Sequence, residues 1–199
     1  MNHNGRLDLA LKLCEEAKKA GADAVKFQTY ITERIITRTV EQAEYQKNNT
    51  GENASQYEML KSLELSFSDF RKVKEYCDQL GIAFLSTADE EESLDFLVSL
   101  GIPCIKIGSG DIGNLWFFRY AGGKRRPVIL STGMSTLSDI DLSLNALRAG
   151  GAENMTLLHC TTSYPCRYAD VNLRAMVTLR DAFHLPVGYS DHTLGNIVS

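Results

Sequence analysis

Helical and strand-like patterns alternate along the chain. Four segments share one order, an amphipathic stretch, a glycine and a short apolar run: CEEAKKAGADAVKF, KEYCDQLGIAFLS, DFLVSLGIPCIKI and NALRAGGAENMTLLHC. The apolar positions before the glycine recur at helical spacing, as at Phe70, Val73 and Cys77. Glycine tolerates the left-handed conformation that ends many helices, so each segment is predicted to be a helix followed by a strand. Thr136 and Asp139 predict a capping box at the start of the last of these helices.

Short apolar runs predict the strands. They are apolar on both faces, which is typical of parallel strands covered on both sides, and the helices between them indicate βαβ units. We therefore expect six full parallel strands in one α/β domain over residues 1–199. The predicted strands are Ala24–Thr29, Ile82–Ser86, Cys104–Gly108, Val128–Ser131, Thr156–Cys160 and Val187–Tyr189.

The segment Ile31–Ser68 interrupts this order. It is long and polar, with KNNTGENAS at its centre. A stretch of this length without regular structure in a compact domain is more often a functional loop than a simple connection. The alternative is a solvated insertion that carries one or two short helices.

Small hydroxyl and charged residues follow every predicted strand, in KFQT, LSTAD, KIGSGD, LSTGM, HCTTSY and GYSDHT. Ligands of α/β folds bind at the carboxyl ends of the strands, and in barrels the whole site lies on that face. Polar residues at all six strand ends therefore indicate an enzyme whose site lies on this rim.

Two lysines, Lys26 and Lys106, lie inside otherwise apolar strands. One interpretation is a buried, paired structural lysine. The other is an oxyanion pocket, because lysine binds phosphate as a point charge and nearby hydroxyls can complete the shell. The hydroxyls concerned belong to Ser86, Thr87, Ser109, Ser131 and Ser190. The glycines of KIGSGD and STGM would let the backbone approach an anion closely.

The histidines differ in the roles that the sequence predicts for them. His192, in YSDHT on the same rim, is a candidate metal ligand or acid–base group, and Asp191 would orient it or serve only as a loop residue. His159 is interpreted as a hydrogen-bonded core residue and His184 as a helix-terminal residue. Tyr164, in TTSYP, is a candidate partner for sugar hydroxyls, although a tyrosine before proline is more often buried.

Composition narrows the function further. The 199 residues include 21 Lys+Arg and 25 Asp+Glu, so the net charge of −4 gives no basic surface for nucleic acid. The longest apolar runs fall far short of the roughly 20 residues that span a bilayer, and the amino terminus lacks a signal sequence. We expect a cytoplasmic protein that binds no membrane and whose 5 cysteines are reduced.

Together these motifs resemble one known family. NHNG, AGADAVKFQTY, KIGSGD, VILSTGMSTL, LLHCTTSYP and LPVGYSDHTLGN are similar, in order, to the N-acetylneuraminate (sialic acid) synthases, which include legionaminic and pseudaminic acid synthases and spore-coat polysaccharide relatives. The resemblance implies a TIM (β/α)8-type barrel that condenses phosphoenolpyruvate with an N-acyl-mannosamine-type sugar. The implied products are a nine-carbon 2-keto acid and phosphate, and the implied cofactor is a divalent metal, typically manganese.

The resemblance also assigns roles to residues. Lys26 and Lys106 would be catalytic, holding the carboxylate and phosphate of phosphoenolpyruvate, and His192 would be catalytic as one of two histidines on the metal. The other expected substrate-binding residues are Thr87, Ser109, Ser131 and Ser190 for phosphoenolpyruvate, and Gln28 and Tyr164 for the sugar. A sugar-binding asparagine of the family falls near Asn49 or Asn53.

The chain departs from the family pattern within this shared order. LSTAD replaces a strand end usually written S-T-P-F, and Thr162, a further candidate substrate-binding residue, stands where some sialic acid synthases have asparagine. The identity of the sugar substrate is therefore left open. GGKRRP is more basic than the family usually shows and has no role in this interpretation.

The ends of the chain prompt a further expectation. A (β/α)8 barrel typically needs about 250 residues, so the barrel is expected to be incomplete, with the first strand truncated and the eighth absent. The family's catalytic glutamate, its second metal histidine and its C-terminal antifreeze-like domain would be missing, whereas the full-length family is expected to form homodimers. Two alternatives follow: a truncated, catalytically impaired phosphoenolpyruvate-binding barrel, and a Schiff-base aldolase that uses Lys26 or Lys106.

Overall fold

The computed structural model describes residues 2–38, 40 and 55–198. The chain divides into two compact units, Met1–Pro103 and Cys104–Ser199. In each unit parallel strands alternate with helices, which confirms the predicted α/β class. No helix within the described ranges has the length and apolar character needed to cross a membrane.

The first unit contains two strands and their helices. Its elements are α1 (Leu7–Lys19), β1 (Ala24–Thr29), α2 (Thr32–Ile35), α3 (Gln56–Leu63), α4 (Phe67–Leu80), β2 (Ala83–Ala88) and α5 (Glu91–Ser99). Strands β1 and β2 pair in parallel, with Lys26 opposite Leu85 and Gln28 opposite Thr87. Helices α2 and α3 lie in the long polar segment, so the alternative of an insertion with short helices is confirmed for its described part.

The two faces of β1 differ in burial. Phe27 and Thr29 are buried on the face covered by helices, where the Phe27 ring lies 5.8 Å from Phe84 and 6.2 Å from Phe70. Lys26 and Gln28 point to the opposite face and are exposed. The prediction that the strands are covered on both faces is therefore wrong for β1, because its alternating polar residues make a one-sided strand.

The second unit contains four strands in the order β3-β4-β5-β6, all parallel. Its elements are β3 (Ile105–Ile107), a 3-10 turn (Ser109–Asp111), α6 (Leu115–Gly122), β4 (Val128–Ser131), α7 (Leu137–Gly150), β5 (Met155–Cys160), a second 3-10 turn (Tyr168–Asp170), α8 (Ala175–Phe183) and β6 (Val187–Ser190). Its core contains Phe118, Leu130, Leu144 and Leu157, which are fully buried.

The local signals in the sequence are confirmed. The glycines predicted to end helices, Gly21, Gly81, Gly101 and Gly151, all have positive φ. Thr136 and Asp139 form the predicted capping box of α7, with each side chain bonded to the other's backbone N–H. Strands β1 and β4 have their predicted bounds, and the others differ by one or two residues at their ends.

Candidate anion-binding site

In the first unit, three predicted site residues share the open face of β1 and β2. Gln28 and Thr87 are directly opposite in the parallel register, and Lys26 precedes Gln28 by two positions on the same face. Lys26 and Gln28 are exposed, whereas Thr87 is buried. The pairing of the strands therefore places an ammonium, an amide and a hydroxyl on one surface.

The ammonium of Lys26 is partly desolvated. Surrounding protein atoms lower the pKa of Lys26, and the negative charge of Asp89 at the end of β2 acts in the opposite direction. A charge that has lost part of its hydration gains more from an incoming anion than a fully hydrated charge does. Lys26 is thus suited to binding an oxyanion from the open face.

Ser86 does not belong to this surface, and its inclusion in the predicted pocket is wrong. Its Oγ lies 2.8 Å from Oγ1 of Thr29, and both residues are fully buried on the helix-covered face. Successive side chains of a strand alternate between faces, so Ser86 and Thr87 cannot both reach the same ligand.

In the second unit, Lys106 is held inside the protein. Its Nζ donates to Ser131 Oγ at 2.7 Å and to the Ile107 carbonyl at 2.7 Å, and the residue is only 7% exposed. Lys106 is therefore buried and hydrogen-bonded, which both interpretations of this lysine allow. The same bonds hold the ammonium and the Ser131 hydroxyl side by side at the ends of β3 and β4, as an oxyanion pocket requires.

A carboxylate that the sequence interpretation missed lies beside this lysine. Burial raises the pKa of Asp111 to about 6, while the positive charge of Lys106 acts to lower it. The signal was present in the KIGSGD motif, whose aspartate received no role. A carboxyl group with this pKa can exchange a proton near neutral pH.

Gly133 brings three further polar side chains of the second unit together. A Cβ at this position would overlap Thr162 Oγ1 and lie 2.9 Å from Cys160 Sγ and 3.1 Å from Ser109 Oγ. The Thr162 hydroxyl is buried and has no hydrogen-bond partner among the described residues. Glycine is therefore required in STGM for steric reasons, and two of the predicted substrate-binding hydroxyls converge on it.

The imidazole of His192 is oriented by the backbone. Its Nδ1 donates to the Thr161 carbonyl at 2.8 Å, and its Nε2 lies 3.4 Å from Ser190 Oγ. A metal-binding histidine usually donates its other ring N–H to such an acceptor. The acceptor at Nδ1 is the Thr161 carbonyl, while Asp191 accepts from Tyr189 and from the Thr193 amide.

The described residues do not form a complete metal site. They contain no group of three or more His, Cys, Asp or Glu side chains that could hold an ion. The Nε2 atom of His192 is the oriented donor that the predicted manganese ion would need, and one donor does not hold a metal. The described residues therefore provide one of the expected metal ligands but not the complete ligand set.

The remaining predicted residues are placed as follows. The Tyr164 ring centroid lies 4.4 Å from that of His192, and Tyr164 is 50% exposed, so it is available to a ligand rather than buried. The prediction for His159 is confirmed, because it is buried and its Nε2 lies 2.7 Å from the Val171 carbonyl. Asn49 and Asn53 lie outside the described residues.

Comparison with known sequences gives a consistent result. The sequence profile of the NeuB family matches residues 13–199. The chain is 50% identical over 202 residues to the N,N'-diacetyllegionaminic acid synthase of Legionella pneumophila, covering 100% of this chain and 57% of that protein. It is 36% identical to the N-acetylneuraminate-9-phosphate synthase of Drosophila melanogaster, covering 100% of this chain and 53% of that protein. The chain thus spans little more than half the length of these relatives.

Solved structures confirm the fold class. The N-acetylneuraminic acid synthetase of Leptospira borgpetersenii, in complex with citrate, matches with a TM-score of 0.83 and 33% identity over 98% of this chain and 63% of that chain. A truncated 3-deoxy-D-arabino-heptulosonate 7-phosphate synthase of Thermotoga maritima, at 17% identity, matches with a TM-score of 0.66 over 96% of this chain and 61% of that chain. The fold is that of an incomplete (β/α)8-type barrel with six parallel strands in its described residues.

Proposed function

Because the chain belongs to the NeuB family, we propose that it forms the phosphoenolpyruvate-binding part of a sialic-acid-type synthase. The reaction condenses phosphoenolpyruvate with an N-acyl-mannosamine-type sugar and gives a nine-carbon 2-keto acid and phosphate. The observation that carries this proposal is the Lys106–Ser131 pair, a buried ammonium fixed 2.7 Å from a hydroxyl at the ends of adjacent strands.

The proposed chemistry is electrostatic and positional. The methylene carbon of phosphoenolpyruvate forms a C–C bond with the sugar aldehyde carbon, water adds to the resulting cationic carbon, and the C–O bond to phosphate breaks. Lys26 and Lys106 neutralise the carboxylate and phosphate throughout, with Thr87, Ser109, Ser131 and Ser190 as hydroxyl donors. Fixed donors of this kind usually supply the largest part of the rate enhancement.

The proposal also specifies the class of sugar substrate. Relatives named N,N'-diacetyllegionaminic acid synthase are 50% and 45% identical to the chain, whereas one named pseudaminic acid synthase is 30% identical. Phosphoenolpyruvate contains no nitrogen, so both acetamido groups of a diacetylated product must come from the sugar. We therefore expect a sugar with two acetamido groups, with Gln28, Thr162 and Tyr164 among its contacts.

Metal, location and assembly are also part of the proposal. His192 would contribute one ligand to a divalent metal, most simply manganese, with the other ligands supplied from outside the described residues. The absence of a membrane-spanning helix in the described ranges supports the cytoplasmic location that we propose. A homodimer is proposed for the full-length protein from the family resemblance.

The direct test is phosphate release from phosphoenolpyruvate. Residues 1–199 would replace the matching part of the Legionella pneumophila relative, and the chimera would be assayed with manganese and a diacetamido sugar. We expect release that depends on both the sugar and the metal. Calorimetry of phosphoenolpyruvate with the chain itself provides the second measurement, and failure of both binding and release would refute the proposal. Binding without release would instead favour the catalytically impaired phosphoenolpyruvate-binding barrel.

One observation favours a second candidate, the Schiff-base aldolase. A lysine with a lowered pKa is a better amine nucleophile, and partial desolvation lowers the pKa of Lys26. The polar strand ends STGM and YSDHT have no role in that reaction, so we rank it lower. Borohydride would trap a covalent pyruvate adduct on Lys26 in an aldolase, whereas the proposed synthase forms no adduct.

A further inference from the structure

Helix α6 and the turn after it carry a basic, aromatic surface between strands β3 and β4. Between Asp111 and Asp139 the sequence contains no acidic residue and four basic ones. These are Arg119, Lys124, Arg125 and Arg126, the last three in the GGKRRP segment that the proposed reaction does not use. We name this surface the α6 patch. It comprises Trp116, Arg119, Tyr120 and Lys124, which line one cleft, and the next two residues of the chain, Arg125 and Arg126, which line a second cleft with Glu153.

The spacing of residues in α6 separates a buried face from the patch. Phe117, Phe118 and Ala121 are buried in the core of the second unit. Trp116, Arg119 and Tyr120 recur at helical intervals on another face, and Trp116, the single tryptophan of the chain, is 72% exposed. An exposed tryptophan beside arginine and tyrosine has the composition of an interface hot spot.

The patch stands on a fixed support. Gly122 of α6 and Gly150 of α7 allow the two helices to touch through their backbones, since a Cβ at Gly122 would overlap the Leu147 carbonyl and lie 3.1 Å from Gly150 Cα. Beside this contact, Lys124 Nζ lies 3.9 Å from the centroid of the Tyr120 ring. A partner would therefore meet side chains on a pre-organised helix, which lowers the entropic cost of binding.

The charges of the three arginines of the patch are available to a partner. Among the described residues, no ion pair involves Arg119, Arg125 or Arg126. Arg119 and Arg125 are exposed, while Arg126 is half-buried. These cations stand out because the whole chain has a net charge of −4.

The shape of the patch favours a macromolecular partner. A cleft of about 520 Å³ elsewhere involves both α1 and β1, whereas the patch cleft of about 430 Å³ is lined only by α6 and its C-terminal turn. A cleft with one structural element as its wall is an open surface rather than an enclosing pocket. An exposed tryptophan beside arginine and tyrosine is typical of protein interfaces, so the observations favour a protein segment.

We propose that the α6 patch binds an acidic segment of a partner protein. Carboxylates of the segment pair with Arg119, Arg125 and Arg126, and an aliphatic side chain between them packs on the indole of Trp116. This role does not depend on the reaction proposed above, because none of the patch residues belongs to the strand-end site.

The test uses the single tryptophan as a reporter. A short peptide in which Glu and Leu alternate is titrated into the full chain, and the fluorescence of Trp116 is followed. We expect saturable binding that Arg125→Glu/Arg126→Glu weakens by about tenfold or more, since like charges then face each other. Binding should also weaken at an ionic strength of about 1 M, where the Debye length is about 3 Å. Calorimetry with Trp116→Ala tests the aromatic contact, because that variant has no fluorescence signal.

Controls make every outcome decisive. The matched variant Lys12→Glu/Arg180→Glu reverses two exposed charges outside the patch and should bind the peptide as the parent chain does. The proposal is overturned by a lack of saturable binding, or by equal binding of a peptide with Gln in place of Glu. It is also overturned by an equal loss in the control variant, or by tighter binding of single-stranded DNA or anionic vesicles than of the peptide. Circular dichroism of each variant verifies that the helices are retained.

Discussion

The two strand lysines, one in each compact unit, present their charges in different ways. Lys106 lies inside the second unit, 7% exposed, with its ammonium bonded to Ser131 and to the Ile107 carbonyl. Lys26 lies on the exposed face of β1 in the first unit, where desolvation lowers its pKa and Asp89 opposes that change. Hydrogen bonds to a hydroxyl and a carbonyl fix the ammonium of Lys106, whereas the structure shows the pKa of Lys26 shifted by desolvation and by Asp89.

Lysines in similar sequence patterns can therefore be held by the protein to different degrees before a ligand binds. A donor that is already fixed by the protein loses little freedom when an anion binds, whereas a lysine on an open face must become ordered at that moment. Lys106 is therefore expected to contribute more to anion binding than Lys26. The predictions below test this ranking.

The largest effect is expected for Lys106→Met. Loss of a charge-assisted donor costs about 1.5–3 kcal/mol, so the Kd for phosphoenolpyruvate should rise about 10- to 100-fold in calorimetry. In the chimera, phosphate release should fall by about 10²–10³-fold, as it does when a fixed donor to developing charge is removed. Lys18→Met, which removes an exposed lysine bonded to the Gly81 carbonyl, is the control and should change neither value.

Lys26→Met should have the next largest effect, with a different signature. The Kd for phosphoenolpyruvate should rise by about tenfold, the lower end of the range for a charged donor. The free energy of unfolding should stay within about 0.5 kcal/mol of the parent value, because the residue is exposed. An effect on Kd larger than that of Lys106→Met would reverse the proposed ranking of the two lysines.

Much of the fold could be predicted because its signals are local. The glycines after α1, α4, α5 and α7 and the capping box at Thr136 depend on a few neighbouring residues, and all of them are confirmed. The alternation of Lys26 and Gln28 with Phe27 and Thr29 was equally visible, yet β1 was predicted to be covered on both faces. Burial of a strand face depends on distant segments, which the sequence of the strand does not contain.

The same distinction applies to the site. Polar residues at the strand ends were recognised from their position after apolar runs, but Ser86 was assigned to the wrong face because Ser86 and Thr87 were treated alike. Asp111 was missed because a raised pKa follows from burial beside Lys106, which is a tertiary property. The orientation of His192 by the Thr161 carbonyl likewise joins residues that are 31 positions apart.

Gly133→Ala should have a smaller effect, which is a loss of stability caused by steric overlap in the second unit. The new Cβ would overlap Thr162 Oγ1, so the free energy of unfolding should fall by about 1–3 kcal/mol, as in other overpacked sites. The matched control is Gly110→Ala, where a Cβ meets nothing within 4 Å. Adding Thr162→Ala to Gly133→Ala should restore part of the lost stability, and equal denaturation midpoints for the two glycine variants would contradict the prediction.

The smallest effect is expected from Asp111, on the pH dependence of the free energy of unfolding. Its pKa is about 6 in the folded chain against a usual value of 3.8, so between these values the unfolded chain ionises first. The contribution of Asp111 to the free energy of unfolding should therefore fall as pH rises from about 4 to about 6 and then level off, by about 1–2 kcal/mol for a partly solvated carboxyl. Urea denaturation should show this fall as the difference in free energy of unfolding between the parent chain and Asp111→Asn. The same difference should be found between Asp141→Asn, which removes an exposed carboxylate of α7, and the double variant Asp111→Asn/Asp141→Asn. In Lys106→Met the fall should extend to higher pH, because the cation that opposes the pKa shift of Asp111 is gone. Parallel stability curves for the parent chain and Asp111→Asn would show that this carboxyl is not buried beside Lys106.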